Sequence, residues 1–326
     1  NLKILISTYH VTDPAHPDFF TRTHLGAVKK AAGAGAKIAV VMDVKRAAAE
    51  VKDADILACF PYTIPPLANV KQLKWIHTFS AGVDKILTSE TRRLPVLISN
   101  SSGIHATPIA EHLIGFMLIF TRRFHLTFRN QLRRRWAPDD TITELRGKTV
   151  LVVGLGDIGV EAARLAHAFG ARVLAIARTR RVKPDFVDEL ATGRSLDAML
   201  SKADFVAICL PYTKETHHLF DMHRFKKMKR TAVLMNIGRG AIAQEKDLIR
   251  ALQQKIIGGA ALDVTEGEPL PKNSPLWSMQ NVVITPHHSG WSEKYMDRAI
   301  DVFCHNLKAY LAKKPLPNLV DKKRGY

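Results

Sequence analysis

The chain has 326 residues, enough for two domains that each bury a core of their own. Its apolar content of 46% is ordinary for a globular protein, and neither an apolar run of 18 residues nor a signal-peptide pattern is present, so we expect no membrane span. The formal net charge of +18 favours anionic ligands; nucleic acid is the alternative, but the basic runs lack interleaved aromatics and no nucleic-acid module occurs.

The first hundred residues alternate short β-rich runs with segments of helix length. The predicted strands span 3–7, 37–42, 55–59, 73–79 and 96–100. Strands separated by helices predict a parallel sheet that is covered on both faces. A helix is then expected over 108–124, because Pro108 suits a first turn, and a polar, arginine-rich stretch follows it.

The same alternation resumes at residue 148. The predicted strands span 149–153, 172–177, 205–210, 232–237, 260–264 and 282–285. Six strands with crossover connections match a doubly wound dinucleotide-binding domain. Gly170 is expected just past the first crossover helix. A last amphipathic helix, 292–314, lies beyond the final strand and can return to the first domain.

A glycine-rich turn, Gly-Leu-Gly-Asp-Ile-Gly, lies between the strand at 149–153 and the helix that follows it. Gly154 permits a tight turn, Gly156 lets a pyrophosphate approach the backbone, and Gly159 lets the helix pack closely on the strand. Asp157 and Ile158 begin the helix, whose N-terminal amides would face the phosphates. The setting predicts a dinucleotide site.

The end of the next strand indicates which dinucleotide binds. An NAD site places a carboxylate there to bind the ribose 2′-hydroxyl, but this chain has Ala177, followed by Arg178, Thr179, Arg180 and Arg181. The missing acid and the arginines favour a 2′-phosphate. We therefore expect NADP(H) as the cofactor, with NAD(H) as the alternative.

Three polar residues follow strands of the second domain: Arg239, Glu268 and His287. The carboxyl ends of parallel strands line the ligand crevice, so these side chains can converge beside the nicotinamide. Arginine binds a carboxylate through two parallel hydrogen bonds, and a histidine beside a carboxylate favours its protonated form. Taken alone, each of these residues could equally be an ordinary surface or structural side chain. Together with the glycine motif they predict the reduction of a 2-oxo acid, with His287 as general acid.

These motifs resemble the D-isomer-specific 2-hydroxyacid dehydrogenases, the family of the glyoxylate/hydroxypyruvate reductases and phosphoglycerate dehydrogenases. The similar segments include 103–111, 154–159, 236–240, 261–269, 286–287 and 316–321. The resemblance implies that Arg239 binds the substrate carboxylate and that His287, paired with Glu268, is the acid/base. It also implies a substrate loop at Ser80, Ala81, Gly82 and Val83, with Arg239 and His287 completing the substrate contacts. The implied cofactor contacts include the glycine motif and Arg178, Thr179 and Arg180. The resemblance adds to them Thr107, Leu210, Pro211, Thr216, Ile237, Gly238, Arg239, Asp263, His287, Ser289 and Gly290.

The resemblance further implies an α/β fold of two doubly wound parallel-sheet domains. A Rossmann cofactor domain, 102–291, would be inserted in a flavodoxin-like substrate domain, 1–101 and 292–326. It implies a homodimer through the cofactor domain, with the helix from Pro108 and the arginine-rich stretch to Trp136 as the dimer arm. Three sparse cysteines, Cys59, Cys209 and Cys304, favour reduced thiols and a cytoplasmic protein.

The prediction is an NADPH-preferring reductase that converts a small 2-oxo acid, such as glyoxylate or hydroxypyruvate, to the D-2-hydroxy acid. A phosphite or phosphoglycerate dehydrogenase is an alternative on the same fold, and a dinucleotide-sensing corepressor or scaffold is another. Formate oxidation is disfavoured because the similar formate-oxidising branch lacks the glutamate that pairs with the histidine, whereas this chain has Glu268. No His/Cys/Asp cluster occurs at ligand spacing in the sequence, so no metal is expected.

Overall fold

A five-stranded and a seven-stranded parallel sheet lie in the two units into which the chain divides, Asn1–His105 with Trp291–Tyr326, and Ala106–Gly290. The computed structural model describes residues 2–8, 13, 16, 19–68 and 70–325. Over those residues no helix is both long and apolar enough to cross a membrane. The domain limits expected from the sequence, 101/102 and 291/292, stay a prediction.

The sheet of the first unit is built from short strands whose residues are largely buried. Its strands are β1 (Lys3–Ser7), β2 (Lys37–Val41), β3 (Ile56–Cys59), β4 (Trp75–Thr78) and β5 (Leu97–Ser99). The helices along this part of the chain are α1 (Arg22–Ala32), α2 (Val44–Glu50) and α3 (Ser89–Arg93). The strand order β2-β1-β3-β4-β5 is that of a flavodoxin-like doubly wound sheet.

The second unit begins with two consecutive helices, α4 (Ala106–Thr121) and α5 (Phe124–Leu132). The sequence predicted one helix over 108–124 and a polar stretch after it, and that prediction was wrong at its end. Arg123 takes a left-handed conformation with φ of 59°, which interrupts the helix, and α5 then follows directly. Pro108 does lie in the first turn of α4.

The sheet of the second unit has the Rossmann order, extended at one edge by the last strand of the unit. Its strands are β6 (Thr149–Val153), β7 (Arg172–Ala177), β8 (Glu189–Thr192), β9 (Phe205–Ile208), β10 (Val233–Asn236), β11 (Gly259–Leu262) and β12 (Val282–Ile284). The helices are α6 (Asp157–Ala168), α7 (Leu196–Leu200), α8 (Met222–Phe225) and α9 (Glu245–Gln253). The order β12-β11-β10-β9-β6-β7-β8 places β6 at the point where the winding direction reverses, which confirms the predicted fold class.

The prediction of six strands in this unit was wrong, because β8 adds a seventh at the edge. Its residues Glu189–Thr192 are half-buried and pair in parallel with β7. A short edge strand needs no continuous apolar run, so its sequence lacks the signal that marks the central strands. Gly170 takes φ of 77° just beyond α6, as expected for a residue that ends a helix.

The C-terminal helix α10 (Tyr295–Leu311) belongs to the first unit. Ala299, Phe303 and Leu307 lie on its buried side and share a core with Ile4 and Trp75. The return of this helix to the first sheet was expected from its position after the last strand.

Candidate active site

The glycine turn after β6 is shaped by close backbone contacts. Gly154 has φ of 105°, and a Cβ atom there would lie 2.6 Å from the carbonyl oxygen of Cys209. A Cβ on Gly159 would lie 1.9 Å from the carbonyl oxygen of Gly154, so only glycine lets α6 approach the turn. By contrast, a Cβ on Gly156 would meet no described atom within 4 Å. The turn is therefore closely packed at Gly154 and Gly159 and open at Gly156.

That opening suits a phosphate. Gly156 is the N-cap of α6 and supplies no capping side chain, so an anion can bind the N–H groups of the first turn and interact with the positive end of the helix dipole. Asp157 and Ile158 form the start of α6, as expected. The residues present thus fit the pyrophosphate of a dinucleotide.

The arginine run follows β7 directly. Ala177 is buried at the end of the strand, and Arg178, Thr179 and Arg180 are exposed beyond it. Arg181 turns back, and its Nη1 donates a hydrogen bond of 2.7 Å to the carbonyl oxygen of Leu155. The run is therefore tied to the glycine turn through its last member.

Arg239 lies in a turn after β10 that a buried asparagine organises. Asn236 accepts a hydrogen bond from Gly238 N–H at 3.1 Å and donates one to the carbonyl oxygen of Arg239 at 3.0 Å. A Cβ on Gly238 would lie 2.6 Å from the carbonyl oxygen of Leu210, so this turn packs against the end of β9. Ile237 and Gly238 are buried, and Arg239 is half-buried.

Glu268 and His287 form a direct pair. Nδ1 of His287 lies 2.8 Å from Oε2 of Glu268, and Oε1 of Glu268 accepts a hydrogen bond of 3.3 Å from Thr265 N–H. A carboxylate can only accept a hydrogen bond, so Nδ1 carries the proton of this contact. The other ring nitrogen, Nε2, does not take part in it. The His287 and Glu268 side chains are 49% and 40% exposed, so both are accessible to a ligand.

Asp263, buried at the end of β11, holds the loop that carries His287. Its carboxylate accepts hydrogen bonds from Thr285 Oγ1 at 2.6 Å and from the N–H groups of His288 and Ser289 at 3.1 Å. Its own carbonyl oxygen accepts from His287 N–H at 2.9 Å. These bonds fix the backbone on both sides of the acid/base candidate up to Ser289, which is buried; Gly290 follows it.

A second histidine, His112 on α4, reaches the same loop. Its Nε2 lies 3.1 Å from Thr285 Oγ1. Burial lowers the pKa of His112, an effect that Asp263 opposes and His288 reinforces, so the ring is neutral at pH 7. Ligand-type atoms of His112, Asp263 and His288 come within 4.8 Å of one another. Because the Asp263 oxygens already accept several hydrogen bonds, we assign no metal to this cluster, and the metal-free site stays a prediction.

The remaining cofactor candidates lie around the ends of β9 and α4. Thr216 Oγ1 donates to the carbonyl oxygen of Pro211 at 2.8 Å and accepts from Thr213 N–H at 2.7 Å, so the loop after Leu210 is braced internally. Thr107 is exposed in the first turn of α4.

The predicted substrate loop, residues 80–83, belongs to the first unit and follows β4. Ser80 Oγ donates to the carbonyl oxygen of Gly82 at 2.8 Å, and Asn100 Nδ2 donates to that of Ala81 at 2.7 Å. Val83 is buried beneath the loop. Two side chains therefore hold its carbonyl groups in place.

Residues that the sequence did not single out also contact the site. Glu266, two residues before Glu268, pairs with His218 and with the start of α9, while Thr285 links Asp263 to His112. His218 and Glu266 are 48 positions apart, and no motif spacing relates them.

The chain is similar in sequence and fold to several known proteins. Residues 114–289 match the model of the D-isomer specific 2-hydroxyacid dehydrogenase NAD-binding domain. The chain is 35% identical over 280 residues to a glyoxylate reductase of Thermofilum pendens, covering 83% of each chain. It resembles a D-isomer specific 2-hydroxyacid dehydrogenase family protein of Aeromonas salmonicida, with a TM-score of 0.86, 32% identity and coverage of 98% and 99%. It also resembles an NADPH-dependent glyoxylate/hydroxypyruvate reductase of Sinorhizobium meliloti solved with NADP and sulfate, with a TM-score of 0.82, 27% identity and full coverage of both chains.

Proposed function

The chain belongs to the D-isomer specific 2-hydroxyacid dehydrogenase family, which makes it an NAD(P)-dependent oxidoreductase, and we propose that it reduces a small 2-oxo acid with NADPH. Glyoxylate and hydroxypyruvate are the proposed substrates, and the product is the D-2-hydroxy acid. The observation that carries this proposal is the contact of 2.8 Å between His287 and Glu268, on segments that follow strands of a Rossmann sheet.

Each proposed role follows from the chemistry of the side chain. Arg239 binds the substrate carboxylate, because its planar guanidinium matches two carboxylate oxygens. His287 holds a proton on Nδ1 against Glu268, and its Nε2 donates a proton to the carbonyl oxygen of the substrate. The bound nicotinamide supplies the hydride. Glu268 stabilises the protonated ring, and in the reverse reaction the neutral ring accepts the proton.

The proposed binding groups extend from these three residues. The first-turn amides of α6, with Gly154, Gly156 and Gly159, would hold the pyrophosphate, and Arg178 and Arg180 would hold a 2′-phosphate. In the first unit, residues 80–83 are proposed to bind substrate through backbone N–H groups. The buried Ala177 supports NADPH over NADH, because it offers no carboxylate to the ribose.

The decisive experiment compares kcat/KM for NADPH and NADH with glyoxylate and with hydroxypyruvate. We expect NADPH to be preferred by at least about tenfold, equivalent to about 1.4 kcal/mol, because one extra charge-assisted contact to a phosphate is worth that much or more. A preference for NADH, or no turnover of either 2-oxo acid, would contradict the proposal.

Arginine variants test the origin of that preference. The double change Arg178→Ala and Arg180→Ala should raise the KM for NADPH and leave the KM for NADH nearly unchanged. Arg230→Ala is the matched control, since Arg230 is another exposed arginine of the same unit. If the double variant raised the KM for NADPH and for NADH equally, the two arginines would not explain the preference for NADPH.

Assembly and location are parts of the same proposal. Leu132 and Trp136 are 86% and 95% exposed on and beyond α5, which supports the proposed use of this arm in a homodimer. Cys59, Cys209 and Cys304 are free thiols, which supports a reducing, cytoplasmic environment.

A further inference from the structure

Glu266 joins three separate segments of the second unit. Its Oε1 lies 2.6 Å from Nε2 of His218, and its Oε2 accepts a hydrogen bond of 3.1 Å from Glu245 N–H. Glu266 N–H in turn donates to Oε2 of Glu245 at 3.0 Å. We call His218, Glu245 and Glu266 the Glu266 network. None of its members has a role in the chemistry proposed above.

The network caps α9 from outside the helix. Glu245 is the first residue of α9, and Gln244, its N-cap, makes no side-chain capping bond. The carboxylate of Glu266 replaces that cap and lies at the positive end of the helix dipole, where a negative charge is stabilising. The loop at 265–268 is thereby fixed to a regular element.

The same loop contacts the segment that follows Arg239. A Cβ on Gly240 would lie 2.0 Å from the carbonyl carbon and oxygen of Thr265, so the two backbones pack directly on each other. His218 N–H also donates to the carbonyl oxygen of Ala241 at 2.8 Å. Thr265, next to Glu266, and His218, its hydrogen-bond partner, therefore both contact the segment that directly follows Arg239.

The network also continues to Glu268. Thr265 N–H donates to Glu268 Oε1, and Thr265 Oγ1 donates to the carbonyl oxygen of Gly267 at 2.8 Å. The remaining carboxylate oxygen of Glu268 meets His287. A shift of the 265–268 loop would therefore move the partner of the acid/base residue.

We propose that Glu266 is a positioning residue that fixes Arg239 and Glu268 relative to each other and thereby orients His287. The inference rests on the proposed function, since it assigns the placement of that reaction's groups. In this role Glu266 acts through its neighbours, and the proposal assigns it no contact with substrate or cofactor.

The charge of Glu266 is maintained by the groups that face it. Burial would raise the pKa of Glu266, but the hydrogen bonds from His218 and Glu245 N–H and the nearby His217 lower it below its usual range. The rings of His217 and His218 stack at 3.8 Å, and the Glu245 carboxylate faces the Glu266 backbone. Glu266 is therefore ionised at neutral pH and can accept at both oxygens.

Glu266→Gln tests the proposal. The amide removes the negative charge at the start of α9 and can accept at only one of its two terminal atoms, so the network is weakened. We expect kcat/KM for the 2-oxo acid to fall about tenfold or more, with a raised KM, because small misplacements of reacting groups are costly. The alkaline limb of the pH profile for reduction should move to lower pH, as in a variant that lacks the Glu268 carboxylate. Glu189→Gln is the control, since Glu189 is a half-buried carboxylate on β8 that pairs with Lys202 and lies outside the network.

A readout without turnover separates this inference from the proposed function. The hydrogen-bonded Nδ1–H of His287, followed by ¹⁵N NMR, should be present in the wild type and in Glu189→Gln and weakened in Glu266→Gln. His218→Phe, which keeps an aromatic ring but no donor, should give the same change, and His218→Gln should restore part of the signal. A wild type that fails to reduce 2-oxo acids would refute the function alone. An unaltered Nδ1–H signal in both Glu266→Gln and His218→Phe would overturn the positioning role.

Discussion

At the scale of residues, the contact between Glu268 and His287 determines which nitrogen of the imidazole is left for a ligand. The carboxylate engages Nδ1 and so directs Nε2 toward the reacting carbonyl in the proposed mechanism. Asp263 holds the backbone on both sides of His287, so the ring is oriented by one residue and its main chain by another. The orientation of the ring and the position of its main chain are thus set by different carboxylates.

Glu268→Gln should move the pH optimum for reduction to lower pH and lower kcat by about tenfold or more. The carboxylate favours the protonated ring, so the ring of the variant gives up its proton at lower pH and the general acid is lost earlier as pH rises. Rates of 2-oxo acid reduction measured from pH 5 to 9 at saturating NADPH would check this, with Glu189→Gln as control. An unchanged pH profile would argue against the pairing.

The sequence could nominate Arg239, Glu268 and His287 because each follows a predicted strand, and parallel strands end at one edge. The bonds that hold them could not be predicted. Asp263 and Thr285 are 22 positions apart, and His218 and Glu266 are 48 apart. Such contacts depend on tertiary packing, and a single sequence carries no spacing rule for them.

At the scale of elements, the central strands could be predicted most closely. The structure places β6 and β7 at Thr149–Val153 and Arg172–Ala177, which are the apolar runs themselves. These strands are buried on both faces, so their composition is unambiguous. The edge strand β8 and the short helix α5 were missed because pairing and packing outweigh a weak local pattern there.

Gly159→Ala and Gly156→Ala should separate packing from ligand binding in the glycine turn. A Cβ at 159 overlaps the backbone of Gly154, so we expect a loss of about 1–3 kcal/mol of stability together with weaker NADPH binding. A Cβ at 156 meets no described atom within 4 Å, so the melting temperature should hold while the Kd for NADPH rises.

Thermal unfolding and fluorescence titration with NADPH would measure both effects. Gly193→Ala is the control, because a Cβ there also lies in open space among the described residues. Equal losses of stability in the variants at 156 and 159 would contradict the assignment of the opening to a phosphate.

At the scale of the whole molecule, the net charge of +18 comes from 48 basic and 30 acidic residues. A positive field raises the encounter rate of anionic molecules, and both NADPH and a 2-oxo acid are anions. This explanation accounts for the charge without a nucleic-acid partner, and the absence of such a partner stays a prediction.

The kcat/KM for NADPH should fall severalfold as ionic strength rises from about 0.05 to 0.3 M, because the Debye length shrinks to well below about 10 Å over that range. kcat at saturation should change little, since bound groups are screened less than free ones. Initial rates in potassium chloride would test this, with NADH as the less charged comparison. A flat salt profile for NADPH would show that the charge does not serve cofactor capture.

The hydrogen bond from Arg181 to the carbonyl oxygen of Leu155 has a practical consequence for redesign. The 2′-phosphate contact proposed for Arg178 and Arg180 is separable from the role of Arg181, which braces the glycine turn. An NADH-dependent version of this enzyme is therefore best built by exchanging the first two arginines and keeping the third. Removing all three would alter affinity for every dinucleotide along with the choice among them.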